Sequence, residues 1–210
     1  MVMYRINFII IILSFILTGC LPAIFTASTS STIAAAKDQS IAETIDDVKI
    51  SAKIKASFIK NSFRGLYTKI KVEVERGRVL LTGIIDKKED ALKAVELVWD
   101  VTGVSEVINE LIIDKKSDHF DLVQYTKDAM ITSQIKARLF IKRDIKWVNY
   151  TIITVNNIVY IFGIARSEEE LEMVTSIASQ INGVERVICH VKMKETKKIN
   201  NEHDINESEI

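Results

Sequence analysis

The chain has 210 residues, 48% hydrophobic and 27% charged, a balance that suits folded domains and excludes wholesale disorder and a multi-span membrane protein. Basic and acidic side chains number 28 each, so formal charge is zero and no global field draws the protein to nucleic acid. The two cysteines, Cys20 and Cys189, sit far apart in unlike settings, which excludes a disulfide framework.

The first twenty residues have three parts. A short start carries Arg5, an almost unbroken apolar run covers positions 6–17, and Leu17-Thr18-Gly19-Cys20 follows. A run of about twelve apolar residues fits a secretory signal and falls short of the ~20 that cross a bilayer. The last four residues resemble the lipobox of bacterial lipoproteins. That resemblance implies a signal peptide over 1–19, cleavage before Cys20 and lipidation of its thiol. Leu21 follows where aspartate would be the inner-membrane retention signal, so the resemblance also implies an outer-membrane anchor facing the periplasm. The other reading is an uncleaved anchor helix with Cys20 as an incidental thiol. Residues 20–44 are rich in Ser, Thr and Ala, hold the one proline, Pro22, and read as a flexible tether.

Next comes an internal repeat. Val79-Leu80-Leu81-Thr82-Gly83-Ile84 returns eighty positions later as Val159-Tyr160-Ile161-Phe162-Gly163-Ile164, and Gly103-Val104 returns as Gly183-Val184. Each copy opens with a helix whose apolar residues recur at i, i+4 and i+8: Ile50, Ile54 and Phe58, then Ile131, Ile135 and Leu139. A strand follows in which Ile70, Val72 and Val74 alternate with Lys71, Glu73 and Glu75, predicting one buried and one wet face. Arg76-Gly77 and Asn156-Asn157 predict tight hairpin turns. Asp86 and Ser167 are candidate N-caps, with Glu89 and Glu170 three residues on as in a capping box. The second helix buries Ala91, Ala94, Leu97, Val98 and Val101, or Leu171, Val174, Ile177, Ala178 and Ile181. Gly103 or Gly183 then closes it as a left-handed cap, and a last strand follows. The fold class is α+β: two tandem αββαβ units over 45–114 and 125–194, helices on one face of each small sheet. A linker over 115–124 joins them, and the Lys/Asn/Glu-rich 195–210 reads as a disordered tail.

An αββαβ unit with "V-x-L-x-G" in its second strand and "G-V-x-x-V" before its third resembles the BON domain (bacterial OsmY and nodulation). Positions 79–83 and 103–107 carry the pattern in the first copy, 159–163 and 183–187 in the second. Two such units behind a lipobox are similar to dual-BON lipoproteins of Gram-negative envelopes. The resemblance implies outer-membrane placement, binding of anionic phospholipid, support of envelope integrity and a link to the outer-membrane assembly machinery. It also implies lipid contact through the first helix of the second unit, near an aromatic residue that Met130 replaces here. Met130, Lys127, Ile131, Lys136, Arg138 and Trp147 are therefore the candidate lipid-binding residues. A solvated helix face is the bland alternative for the lysines, and core packing the bland alternative for Trp147.

Several residues carry a structural expectation. Gly83, Gly103, Gly163 and Gly183 are read as structural, since a glycine in a strand marks close backbone approach or a bulge. Trp99 is expected in the core or between domains. Cys189 reads as a lone semi-buried thiol, with His190 on the opposite strand face. His119, His190 and His203 have no ligand spacing, so neither a metal nor another cofactor is expected. No nucleophile elbow, zinc helix or phosphate loop is present, so no catalytic residue and no enzyme is expected. Two alternatives to the lipid reading stay open: a protein–protein adaptor for outer-membrane assembly, and a soluble, stress-induced periplasmic protein.

Overall fold

The computed structural model describes residues 37–61, 68–114 and 121–194. Cys20, most of the tether and the tail after 194 lie outside the described residues. The first module runs α1 (Ile41–Lys60), β1 (Ile70–Glu75), β2 (Arg78–Ile85), α2 (Lys88–Trp99) and β3 (Glu106–Ile113). The second runs α3 (Leu122–Ile141), a single 3-10 turn (Trp147–Asn149), β4 (Tyr150–Val155), β5 (Ile158–Ala165), α4 (Glu168–Ser179) and β6 (Arg186–Met193).

Each module holds a three-stranded mixed sheet with its second strand in the middle. The first two strands form an antiparallel hairpin, and the third joins in parallel after a helical crossover. The hairpin turns are as predicted: Arg76 and Gly77, and Asn156 and Asn157, all have positive φ. An aspartate from the first helix of each module caps the turn. Asp47 accepts from the N–H groups of Arg76 and Gly77 at 2.8 Å each, and Asp128 accepts from Asn156 and Asn157 at 2.8 and 2.9 Å.

Gly83 and Gly163 sit on the central strands opposite the first residue of the hairpin partner, at φ 140° and 144°. A Cβ there would come within 2.1 Å of the Lys69 carbonyl oxygen or 2.0 Å of that of Asn149. The strands can approach so closely only because no side chain intervenes. Gly103 and Gly183 do not cap the second helices as expected. Asp100 and Gln180 hold that position, and the glycines come three residues later, packed on Ile50 and Ile131.

The expected N-caps split. Ser167 caps α4, its hydroxyl accepting from Glu170 N–H at 3.2 Å. The Glu170 carboxylate does not return to Ser167. It accepts instead from the N–H groups of Lys146 and Arg166 and from the Arg166 guanidinium. Asp86 is not a cap, because the N-cap of α2 falls one residue later, at Lys87, whose side chain makes no cap bond. Asp86 pairs with Lys69 at 3.1 Å instead.

One core lies between each sheet and its two helices, built in the first module around Ile54, Phe58, Leu81 and Val98 and in the second around Ile135, Leu139, Ile161 and Val174. A third cluster joins Leu80 of the first module to Ile153, Tyr160 and Phe162 of the second. The sheets therefore pack face to face, giving layers in the order helix, sheet, sheet, helix. This corrects the expected wet face of β1 in part: Lys71 is exposed as expected, but Glu75 is 3% exposed and Arg78, across the hairpin, 7%. Of the other polar residues on β1, Glu73 is half-buried beside the second module and Glu75 is buried against Lys37. Arg78 binds Glu106 at 2.9 Å, donates to the His190 carbonyl at 3.0 Å and stacks over the Phe162 ring at 5.1 Å. His190 meets Glu110 at 2.9 Å, and Lys192 meets Glu106 at 2.7 Å.

Candidate functional site

Helix α3 owes its start to Asp121, whose carboxylate accepts from the N–H groups of Val123 and Gln124 at 2.9 and 3.0 Å. Its inward line is Ile131, Ile135 and Leu139. With that line and Asp128 fixed against the sheet, the opposite side of the helix faces outward. There Leu122, Val123, Tyr125, Met130, Phe140 and Ile141 are all more than half exposed. At about 100° per residue, Val123, Met130 and Ile141 fall within about 20° of one another, on an outer line that also carries the exposed Gln134.

The candidate lipid-binding residues divide around this stripe. Met130 is on it, 58% exposed. Lys127 and Arg138 are exposed along one flank, and Lys136 is exposed on the other. Ile131 is corrected: at 3% exposure it packs in the core against Gly183 and offers nothing to a ligand. Trp147 is not core either. At 39% exposure it lies beyond the end of α3, edge-to-face with the Phe140 ring at a centroid distance of 5.5 Å. Its turn is fixed by the Glu170 carboxylate, which accepts from Lys146 N–H at 2.6 Å and from Arg166. Burial disfavours the Glu170 charge, but those hydrogen bonds outweigh it and hold the carboxyl below its ordinary range.

A cleft beside Trp147 is lined by Lys136, Tyr150, Thr151 and Glu73 of the first module. Burial pushes the Glu73 carboxyl up, although Lys55 and Lys136 pull the other way.

The first module carries a comparable outer face on α1. Ile41, Ile45, Val48 and Ile59 are about half exposed or more, and Lys49, Lys53 and Lys60 are exposed beside them. Since the sheets are the inner layers, the α1 and α3 faces belong to opposite outer layers. Trp99 belongs to the first-module layer. It is 52% exposed, and so neither core nor domain contact as expected.

A site unseen in sequence reading lies where the chain enters the body. Asp38 precedes α1 yet binds the second module. It receives the Asn149 side-chain amide at 2.9 Å, Lys194 at 2.8 Å and Lys146 at 3.3 Å, and its own N–H donates to the Asn149 amide oxygen at 3.0 Å. Arg76 clasps its carbonyl at 2.8 Å, and Lys37 pairs with Glu75 at 2.7 Å. Burial opposes the Asp38 charge, yet the bonds from Lys194, Asn149 and Lys146 hold its carboxyl well below the ordinary range. No periodicity or short motif marks this residue, because its partners lie more than a hundred positions away. Asp47 and Asp128 were more legible, being displaced by the same 81 residues as the helices that carry them.

Cys189 is exposed, not semi-buried, and His190 turns to the other strand face toward Glu110. Among the described residues no group of three or more His, Cys, Asp or Glu side chains could hold a metal ion. No described helix is long and apolar enough to cross a membrane.

The chain is 41% identical over 153 residues to a protein in the gshII 5′ region of Anaplasma centrale, covering 73% of this chain and 98% of that one. It is 27% identical to the outer membrane lipoprotein DolP of Haemophilus influenzae, covering 82% of this chain and 87% of that protein. Osmotically-inducible protein Y of Escherichia coli is also 27% identical, over 71% of this chain and 74% of its own length. The BON domain model matches twice, over residues 46–115 and 127–195, the two halves of the layered body. With both modules matched in sequence and alike in topology, the chain belongs to the BON domain family, as a tandem pair.

Proposed function

We propose that this protein is an outer-membrane lipoprotein, anchored through Cys20, whose second BON module binds anionic phospholipid at the periplasmic face and supports envelope integrity. The observation that carries the reading is the outer face of α3. Exposed Val123, Met130 and Ile141 share one outer line of the helix with Gln134, beside exposed Lys127 and Arg138, and Phe140 and Trp147 stand at its C-terminal end. An amphipathic helix of this kind lies in a membrane interface, apolar side among the acyl chains and cations among the headgroups. Aromatic rings with one polar edge favour the same zone. The similarity to an outer membrane lipoprotein supports the placement, and the signal-like start with Leu17-Thr18-Gly19-Cys20 supports the anchor. A weak lipid contact suffices in an anchored protein, because the tether raises its effective concentration at the surface.

The test is flotation of the Cys20→Ser chain beginning at residue 20 with phosphatidylglycerol vesicles and with phosphatidylcholine vesicles, at low and high salt. Binding to the anionic vesicles that weakens with salt is expected. Absence of binding, or equal binding to both, contradicts the reading. A second reading, a protein–protein adaptor, is favoured by the α1 stripe in the opposite outer layer. It predicts that Val48→Glu abolishes an envelope association that Met130→Glu leaves intact.

A further inference from the structure

Helix α1 carries a second line of side chains on the side turned away from the core. Ile41, Ile45, Val48, Ala52, Lys55 and Ile59 follow one another at intervals of four and three residues, and all six are exposed. That spacing keeps them within about 80° of one another over about five turns. It is the a/d spacing by which one helix seats its side chains on another. The inward line of Ile50, Ile54 and Phe58 is taken up by the sheet, so the outer line stands uncovered. The second module does not keep it. Displaced by 81 residues, the inward line persists as Ile131, Ile135 and Leu139, but Ile45, Val48 and Ala52 become Thr126, Ala129 and Ser133. The outer line is therefore no requirement of the shared fold.

Exposed charge on α1 is divided along its length. The acids Glu43 and Asp46 stand in the first half, and Lys53, Lys55 and Lys60 in the second. A parallel copy of the same helix would set like charge against like. An antiparallel copy sets the acidic half against the basic half and opposes the two helix dipoles. Lys49, near the midpoint where the two copies of it approach, is already paired with Asp46 of its own helix at 3.1 Å. Centred on the middle of the line, this pairing seats Val48 on Ala52 of the second copy and Ile41 on Ile59, and lays Ile45 along the methylene stem of Lys55. The small Ala52 at the crossing lets the two axes come close.

We propose that the outer face of α1 binds a second copy of this chain, helix to helix and antiparallel, in a closed two-fold dimer. The inference goes beyond the lipid-binding reading and does not rest on it, since α3 lies in the opposite outer layer and stays uncovered. One helix from each copy makes a small interface, so the dimer is reversible and depends on concentration.

The test is sedimentation of the chain beginning at residue 20, with Cys20→Ser and Cys189→Ser so that no native thiol remains, at concentrations rising to hundreds of micromolar. This parent should pass from monomer to dimer and stop there. Val48→Glu, with its circular dichroism unchanged, should stay monomeric, because it buries a carboxylate against Ala52 of the second copy. Met130→Glu, comparably exposed in the opposite layer, should dimerise like the parent. Direction is read by disulfide trapping in oxidised glutathione. A mixture of the Val48→Cys and Ala52→Cys chains should cross-link several-fold faster than either chain alone. A parent that stays monomeric at every concentration, assembly that continues past the dimer, or a Val48→Glu chain that dimerises like the parent overturns the inference. Faster self-linking of the Val48→Cys chain than of the mixture overturns the antiparallel pairing. Capture of a different protein by a chain that stays monomeric overturns it as well, and so does a Val48→Glu chain that loses phosphatidylglycerol vesicle binding while still dimerising. If the parent floats with anionic vesicles but never dimerises, the inference fails and the lipid-binding reading stands.

Discussion

A single atom decides the outcome at Gly163. Its missing Cβ is what lets Asn149, at the end of the Trp147 turn, lie across the central strand, and the space available is only 2.0 Å. Gly163→Ala should cost about 2 kcal/mol or more, combining a disfavoured φ with a backbone clash, read as a lower urea midpoint. A midpoint within error of the parent would contradict the close approach. Titration works at the same scale. The carboxyls of Asp38, Glu106 and Glu170 are all held below their ordinary range by Lys or Arg partners, among other hydrogen bonds. A depressed carboxyl contributes stability that is present above its unfolded pKa and lost as pH falls toward its folded one. Glu73, raised by burial, acts with the opposite sign and regains stability on acidification. With Glu43 and Glu169 also held low by hydrogen bonds at helix starts, the depressed carboxyls outnumber the raised one and predict a melting temperature that falls steadily below about pH 5. A flat or rising profile there would contradict the assignment. The residues legible in sequence were those that repeat, such as Gly83 and Gly163. Asp38, which does not repeat, was invisible until its distant partners were placed.

Helix ends give the cleanest comparison between the modules, because one is capped and the other is not. Ser167 caps α4, whereas Lys87 stands at the same place before α2 with an extended backbone and no side-chain bond. Ser167→Ala should therefore lower stability by about 1 kcal/mol, and Lys87→Ser should raise it by about 0.5–1 kcal/mol, both measured by chemical denaturation. A stabilising effect of Ser167→Ala would refute the cap. The element order αββαβ was readable from periodicities of 3.6 and 2 and from turn residues, since those depend on neighbours in sequence. The capping box at Asp86 misled because Asp86 is claimed by Lys69, a partner just before β1 that no local pattern reveals. Likewise the exposed stripe on α3 was half legible. Met130 and the flanking cations were identified, but Ile131 belongs to the inward line, and the Phe140–Trp147 pair becomes visible only when the turn after α3 folds back.

At the scale of the whole molecule, the decisive fact is that the two sheets share an interface. Leu80, Tyr160 and Phe162 are no more than 1% exposed, each worth about 1.5–3 kcal/mol of burial, and Arg78 is buried among them with Glu106 and the His190 carbonyl as partners. Alternation along β1 suggested a wet face because sequence records which residues share a side, not what that side meets. Removing Arg78 leaves Glu106 partly desolvated and a gap beside Phe162, so Arg78→Ala should lower the stability of both modules together. One unfolding transition followed by both tryptophans would express that coupling. Two separate transitions in the parent chain would contradict it.

The layering also divides the surface into two outward helix faces, and the account assigns lipid to one of them. The most direct measurement compares two Cys20→Ser chains that begin at residue 20 on phosphatidylglycerol vesicles, one with Met130→Glu and the other with Val48→Glu, two apolar-to-acid changes at comparably exposed positions in opposite layers. Loss of binding in the Met130→Glu chain with binding kept in the Val48→Glu chain is the predicted result; the reverse pattern, or equal loss in both, would contradict the account.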